Sequence, residues 1–426
     1  MAEIFQSKYT AQQIESLLDT VSDKYGINTD DDIELYGFRI CGPESSPYSR
    51  VEYLGANKNY EPASMDFAND KFCYGSWGNA FFIKNLKPVM LYSDGSIAYE
   101  LDKNDYSLKA DGTVSDIDNV NFDGNAMMGF PTIWFKSYQT GIYKYVFVSN
   151  KKLDENYHAY SHTDNNGQII DYCFVRIFEG SLINNKLRSI SGQSLMVQKT
   201  ASNEITYATA NNITSDIIWY TGLVNDMQMI NRLLILISKS TNTQATFGYG
   251  HYTGGKDASS LLKTGTMNDK GLFWGINTTG KGVKIFGIEN WWGNAWERIG
   301  GYISNAYKIY TKFTYGKEDG STTEGYNIDG TGYNLITNYT LSSVAGAYIK
   351  ENCCNKFGFW PYITVGTQET YETDGLWAGS SIMYSMFGGN CANGFLVGAL
   401  SINLNNTVSH SAWGVSASLS CKPLKQ

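Results

Sequence analysis

Four histidines and seven cysteines are the residues of this 426-residue chain whose chemistry depends most on spacing. His158 and His162 stand four apart, which on a helix would aim two imidazoles at one metal ion. The surrounding ENYHAYSHTDNNG is turn-like instead and lacks the glutamate of the helical zinc motif. His251 and His410 fall in Gly- or Ser-rich loops with no thiol or serine elbow beside them to activate, which suits loop hydrogen bonding better than base catalysis. Cys353 and Cys354 are adjacent, too close for zinc-ligand spacing, and no second pair completes a set of four. Neither G-x-x-x-x-G-K-S/T nor G-x-G-x-x-G opens a helix, so phosphate and dinucleotide binding have no support. The expectation is no catalytic residue, no metal and no cofactor.

Recognition chemistry is better represented. Asp374–Ser385 and Gly388–Asn393 are rich in Gly, Ser and Asn, with Trp377 and Tyr384 among them. Asn405–Trp413 (NNTVSHSAW) is a polar loop between the strand-like runs Leu400–Leu404 and Val415–Leu419. Rigid aromatic contact area beside small, adaptable polar groups is the composition of binding loops. An ordinary solvated loop with Trp413 folded inward has the same composition, and the residues alone leave both readings open.

The stretch expected to hold these loops is Val283–Gly301, VKIFGIENWWGNAWERIGG. Val283, Ile285 and Phe286 read as a buried strand, Gly287 and Gly293 permit tight turns, and Trp291, Trp292 and Trp296 fill the space between. Strand-like runs occupy Leu35–Ile40, Arg50–Leu54, Ala80–Ile83, Val89–Leu91, Thr132–Phe135 and Tyr143–Val148. Two helical patterns interrupt them: Ser202–Asn211, and Val224–Ser238 with Met227, Ile230, Leu233, Leu234 and Ile237 on one face. Near the start, Thr10 and Gln13 form a capping box, and Ile14, Leu17, Leu18 and Val21 make one stripe of a helix ending near Tyr25. The acidic Asn28–Asp32 reads as a linker, which gives residues 1–32 as a helix and linker for attachment or self-association and 33–426 as one large domain.

With 43 Gly, 31 Tyr, 10 Trp and only 17% charged residues, strands and long ordered loops are expected rather than a helical bundle. The net charge of −8 argues against nucleic acid or an anionic membrane as partner. MAEIFQSKYT has neither the basic nor the apolar region of a secretory signal, and the longest aliphatic run, Leu233–Ile237, is far short of a membrane span. Cys41, Cys73, Cys173, Cys353, Cys354, Cys391 and Cys421 are an odd, scattered set, which fits reduced thiols made in a cytoplasm.

FGIENWWGNAWERIGG (Phe286–Gly301), GLFWG (Gly271–Gly275), DGLW (Asp374–Trp377) and GGNCANGFLVGALSINLNNTVSHSAWGVSASLSCKP (Gly388–Pro423) resemble bacteriophage and prophage structural proteins with a C-type-lectin-like domain of the formylglycine-generating-enzyme type. EGSL (Glu179–Leu182), LRSISG (Leu187–Gly192) and STNTQATFGYG (Ser240–Gly250) are similar to the same group, so the likeness spans most of the chain from about Arg50. It implies an α+β fold with small antiparallel sheets, two main helices and long ordered loops. The paired copper-binding cysteines of the catalytic members are not matched, since Cys391 and Cys421 are far apart in the sequence, and the histidine motif of the ergothioneine-synthase branch is missing. The non-enzymatic branch implies a homotrimeric virion fibre or tail-tip adhesin that binds a bacterial surface receptor, protein or glycan, and attaches to other virion proteins through its N-terminal helix. In that scheme the ligand contacts are Trp377, Ser380, Tyr384, Asn390, Asn393, Asn405, Asn406, His410, Ser411 and Trp413. A virion decoration protein and a formylglycine-type oxidase are the alternatives.

Overall fold

A computed structural model describes residues 33–424 except 217, 314–331 and 337–338. The helix expected at Thr10–Tyr25 and the linker after it lie outside the described residues.

The helix Val224–Ser238 runs through the centre of the molecule, and all 15 of its residues are buried. Its apolar face is the one expected from spacing, but the opposite face, with Asn225, Asp226, Gln228, Asn231 and Arg232, is covered too. Polar side chains so placed must find partners inside the protein. Gln228 donates to the Phe359 carbonyl at 2.8 Å and accepts from the Phe359 N–H at 3.0 Å. Asn231 donates to the Ala399 carbonyl at 2.6 Å. Arg232 donates to Ser137 Oγ at 3.1 Å, with its guanidinium 3.9 Å from the Phe135 ring centroid. Asp226 accepts from Ser420 at 2.8 Å and pairs with Lys422 at 2.9 Å.

Those partners belong to three different sheets. Phe359 and Ala399 lie in a nine-stranded sheet whose main path runs 334–335, 308–311, 296–305, 383–388, 398–404, 375–378, 344–355 and 358–364, with Val415–Ser416 added parallel to Trp296–Glu297. Ser137 and Phe135 lie on the edge strand of a four-stranded antiparallel sheet in the order 51–54, 35–41, 143–149 and 134–140. Ser420 lies in a six-stranded sheet in the order 219–221, 419–421, 172–176, 124–131, 87–92 and 97–100. One apolar cluster, from Tyr36 to Leu404, fills the space between the helix and the sheets.

This architecture overturns the expected α+β, C-type-lectin-like fold. About 36% of residues are in strands and 12% in helices, the sheets include a large curled half-barrel, and the described residues hold only four α-helices. The physical reason is the enclosed helix: a lectin-like domain lays two helices on a small sheet, whereas here Val224–Ser238 is wrapped on every side. The second expected helix is present as Ala201–Thr209, with Thr200 and Asn203 as its capping box. Ala80–Ile83 is not a strand; Phe81–Lys84 forms one helical turn whose three aromatic and aliphatic residues point inward. Val415–Leu419 divides, its first residues joining the nine-stranded sheet and Leu419–Cys421 crossing to the six-stranded one.

Val283–Gly301 is buried throughout. Trp291 Nε1 donates to Asn231 of the central helix at 2.9 Å, and Trp292 Nε1 to the Gly248 carbonyl at 3.1 Å. Gly293, at φ +79°, lies so close to His251 that a Cβ would be 2.9 Å from its carbonyl oxygen. Phe286 turns out of the expected strand at φ +46°. Beneath the tryptophans, Arg176 forms a fully buried ion pair with Glu297 and donates to the carbonyls of Glu289 and Asn290. Glu179 accepts from Asn290 at 2.8 Å and Asn294 at 2.6 Å. Burial pushes the Glu179 carboxyl up to about 8, against the partial opposition of Arg176. Burial pushes the His162 imidazole down to about 3, with Lys422 acting in the same direction.

Two outcomes are expected. Trp296, 4% exposed and edge-on to Trp377 at 5.1 Å, should cost about 3–5 kcal/mol when replaced by Ala, measured by urea denaturation; an unchanged midpoint would mean the ring is dispensable. The folded state keeps a proton on Glu179 that the unfolded chain, at its usual 4.5, releases, so stability falls as pH rises through the window from 4.5 to about 8. His162 has the opposite slope, but only below its usual 6.5. The melting temperature should therefore fall between pH 6.5 and 8, and Glu179→Gln should flatten that decline.

Candidate functional site

The residues expected to contact ligand are split between the two ends of the strands 296–305 and 383–388, Ser380 beside Ala306 at one end and Asn390 next to Cys391, which bonds Asn294, at the other, and most of their polar groups are used within the protein. Asn403 Oδ1 accepts from the Asn405 N–H at 3.0 Å and from Asn406 Nδ2 at 2.9 Å, and Asn406 Nδ2 also donates to Asn405. The Asn406 carbonyl accepts from the Tyr384 N–H at 2.8 Å. Tyr384 itself is buried against Ile303, Ala201 and Ile205, which removes its ring from the surface. The His410 carbonyl accepts from Arg298 at 3.0 Å, and its half-buried ring is held below the usual imidazole range by burial and then by Arg298. Val408 and Ala412 carbonyls accept from Ala201 and Gln198, pinning this loop to the start of Ala201–Thr209.

Trp377 is half-buried and closes over Trp296, Met386 and Val415, and Trp413 is half-buried in the adjoining turn. Asn393 Oδ1 accepts from the Asn390 N–H at 2.8 Å, and Asn390 Oδ1 from Ala392 at 3.0 Å, a pair of local turn bonds. Asn390 also lies against Gly414, where a Cβ would be 2.4 Å from its Nδ2. Ser380 and Ser411 are exposed. Of the ten residues, then, only these two serines stand open.

The other end of the Gly388–Leu396 loop leads to a cleft that the sequence did not disclose. Phe395 packs with Tyr252 at 4.6 Å and Tyr249 at 5.5 Å between ring centroids. Beside these rings is an opening of about 200 Å³ lined by Asn242, Gln244, Tyr249, Glu369, Thr373 and Phe395, among others. Gln244 is 4% exposed; its Nε2 donates to the carbonyls of Phe395 and Val397, which fixes the amide so that Oε1 has no protein partner among the described residues. Thr373 Oγ1 is likewise buried without a partner among them. Asn242 caps the helix Thr243–Phe247 by accepting from the Ala245 N–H at 2.9 Å, and so sets the approach of Gln244.

The opposite wall is backbone held in an unusual shape. Tyr371 and Thr373 sit at φ +60° and +59°, and the β-branched Val365, at the other end of the same segment, at +95°. Such conformations cost of order 1–3 kcal/mol each and persist only when the surroundings impose them. Here the Tyr371 N–H donates to the Ser45 carbonyl at 2.7 Å, and Arg50, wholly inaccessible, pairs with Glu372 at 3.1 Å. Asp374 accepts from the Leu400 N–H at 2.7 Å on the far side. Two buried oxygens, a carboxylate and aromatic faces make a cleft that accepts hydrogen bonds and stacks on flat, weakly polar surfaces. Among the described residues that line it, no nucleophile is paired with a base.

The groups singled out for chemistry lie elsewhere and apart. His162 is buried with Nε2 3.1 Å from the Phe130 carbonyl, while His158, bridged to Phe135, stacks on Tyr160. Cys391 rests against Gly255, its thiol pushed up to about 11 by burial, and Cys421 lies in the six-stranded sheet in register with Phe174 and Trp219. Those two thiols therefore form no common copper site. Among the described residues no three His, Cys, Asp or Glu side chains come together as a metal site. No family model matches the chain, and no curated protein sequence does. The aromatic run Phe247–Tyr252, part of it within the quoted stretch Ser240–Gly250, is the sequence signal nearest this cleft.

Removing one member of a buried ion pair strands the other charge, so Arg50→Met should destabilise the protein by about 3–5 kcal/mol. Denaturant titration measures it, and a loss under about 1 kcal/mol would show that Glu372 does not depend on Arg50.

Proposed function

We propose that the chain is a recognition protein without catalytic activity, a virion fibre or tail-tip adhesin that binds a bacterial surface receptor, and that the determinant entering the cleft is a neutral glycan. The observation that carries the binding reading is the pair of buried, unpartnered oxygens, Gln244 Oε1 and Thr373 Oγ1, set between aromatic rings and Glu369. Hydroxyl and amide N–H groups of a sugar would supply the missing donors, and Tyr249 and Phe395 a surface for its C–H face. The virion setting and the trimer draw on the resemblance of the quoted runs, not on the fold. In such an assembly several weak sites engage a repetitive cell surface together, which raises avidity without new contacts. No helix of the described residues is long and apolar enough to cross a membrane.

Tyr249→Ala and Phe395→Ala should each reduce adsorption of the full chain to host cells by about tenfold or more, the loss expected of an aromatic anchor. Circular dichroism should show the fold retained. Wild-type adsorption by both variants would remove the cleft from the binding site, and loss of particle assembly instead of adsorption would favour the decoration role.

A further inference from the structure

A second recess has a different chemistry. It opens beside the edge strand Trp134–Thr140, where the segment around His158 is bridged to the sheet: the Phe135 N–H donates to the His158 carbonyl at 3.0 Å and the His158 N–H to the Phe135 carbonyl at 2.9 Å. The recess has a volume of about 320 Å³ and is lined by Trp134, Lys152, Tyr157, His158, Thr163 and Ile169, among others. The His158 ring lies flat on Tyr160, centroids 5.0 Å apart, and Thr163 Oγ1 donates to the Ala159 carbonyl at 3.0 Å, so the floor is fixed.

The charges around it are unequally matched. Lys136 is taken up by Asp154 at 2.7 Å. Lys152, exposed, has its Nζ 5.9 Å from the Trp134 ring centroid, and no carboxylate lies within ion-pair distance of it among the described residues. Lys356, exposed at the turn between Val344–Asn355 and Gly358–Thr364, is similarly without a carboxylate among them. Both ammonium groups act on the same imidazole: His158 is held below its usual range by burial first, then by Lys356 and Lys152, against the opposition of Asp154. This is a local cationic site on a chain of net charge −8, beside a half-buried tryptophan face.

We infer that this recess is a second binding site, distinct from the Gln244–Phe395 cleft, and that it takes an acidic saccharide, with the sugar ring against Trp134 and the carboxylate toward Lys152. The volume is at the low end for small-molecule sites and suits a sugar unit rather than a folded partner. A carboxylate is selected because Lys152 supplies donors and charge while Trp134 supplies a face for C–H contact.

Trigalacturonic acid and its methyl-esterified counterpart differ in charge and in the added ester methyl groups, and both can be titrated into the full chain by calorimetry. The acid should bind, and the neutral ester should bind about tenfold more weakly or not at all. Lys152→Glu, at an exposed position, should abolish binding of the acid with the melting temperature unchanged, and Trp134→Ala should weaken it. Tyr249→Ala, in the first cleft, should leave it intact, so failure of one site is distinguishable from failure of the other. Equal affinity for acid and ester, wild-type binding by Lys152→Glu, or full displacement of the saccharide by a poly-glutamate peptide at equal charge would overturn the assignment.

Discussion

The structure depends on the requirement that a helix buried on every side satisfy its polar side chains. Gln228, Asn231, Arg232 and Asp226 each reach a different strand or sheet, and the hydrogen bonds they make are short and specific. Apolar burial alone would tolerate rotation or sliding of the helix against its surroundings. A fixed set of donors and acceptors does not, because any shift leaves a buried amide or guanidinium unpaired at a cost of about 1–3 kcal/mol or more. The helix thus helps set the relative position of three sheets, together with the ion pairs Arg176–Glu297 and Lys144–Glu351 that join them directly. The tryptophan segment completes this arrangement through Trp291, whose indole donates to the same Asn231 that holds Ala399.

That rigidity extends to the Gln244–Phe395 cleft. The helix Thr243–Phe247 begins a few residues after the central helix ends, and Gln244 hydrogen-bonds to the loop that carries Phe395. The strained segment at 371–373 is tied to the N-terminal sheet region through Ser45 and Arg50. Binding there would require little ordering of the protein, and preorganisation of this kind lowers the entropic cost of association. The second recess is built differently, on a sheet edge extended by a turn, with its charges on exposed flexible lysines.

Much of the local structure was legible in the sequence. Val224–Ser238 was fixed by its apolar spacing, and the strands at Leu35–Cys41 and Tyr143–Ser149 by runs of aromatic and β-branched residues. The tertiary arrangement was not legible, because the polar face of the central helix reads as solvent-facing until its partners are known, and those partners are 60 to 196 residues away in the chain. The resemblance to lectin-like domains misled for a related reason: Gly, Trp and Asn runs record tight turns around large rings, a demand met by more than one fold. Ligand contacts were sought where Asn and Ser were dense, yet in Asn403–Asn406 those side chains are spent on each other. The Gln244 amide was invisible because a single glutamine carries no pattern.

The strand Leu419–Cys421 lies between Trp219–Thr221 and Tyr172–Arg176. A ribosome must add roughly two hundred residues after Thr221 before the strand that fills this gap exists, a separation that slows closure of non-local sheets. Until then two strand edges of the six-stranded sheet stand open in the nascent chain, and Asp226 of the central helix lacks Ser420 and Lys422. The six-stranded sheet therefore closes only after Leu419–Cys421 has been made, and the yield of the protein in a cell will depend on what shields those edges during translation.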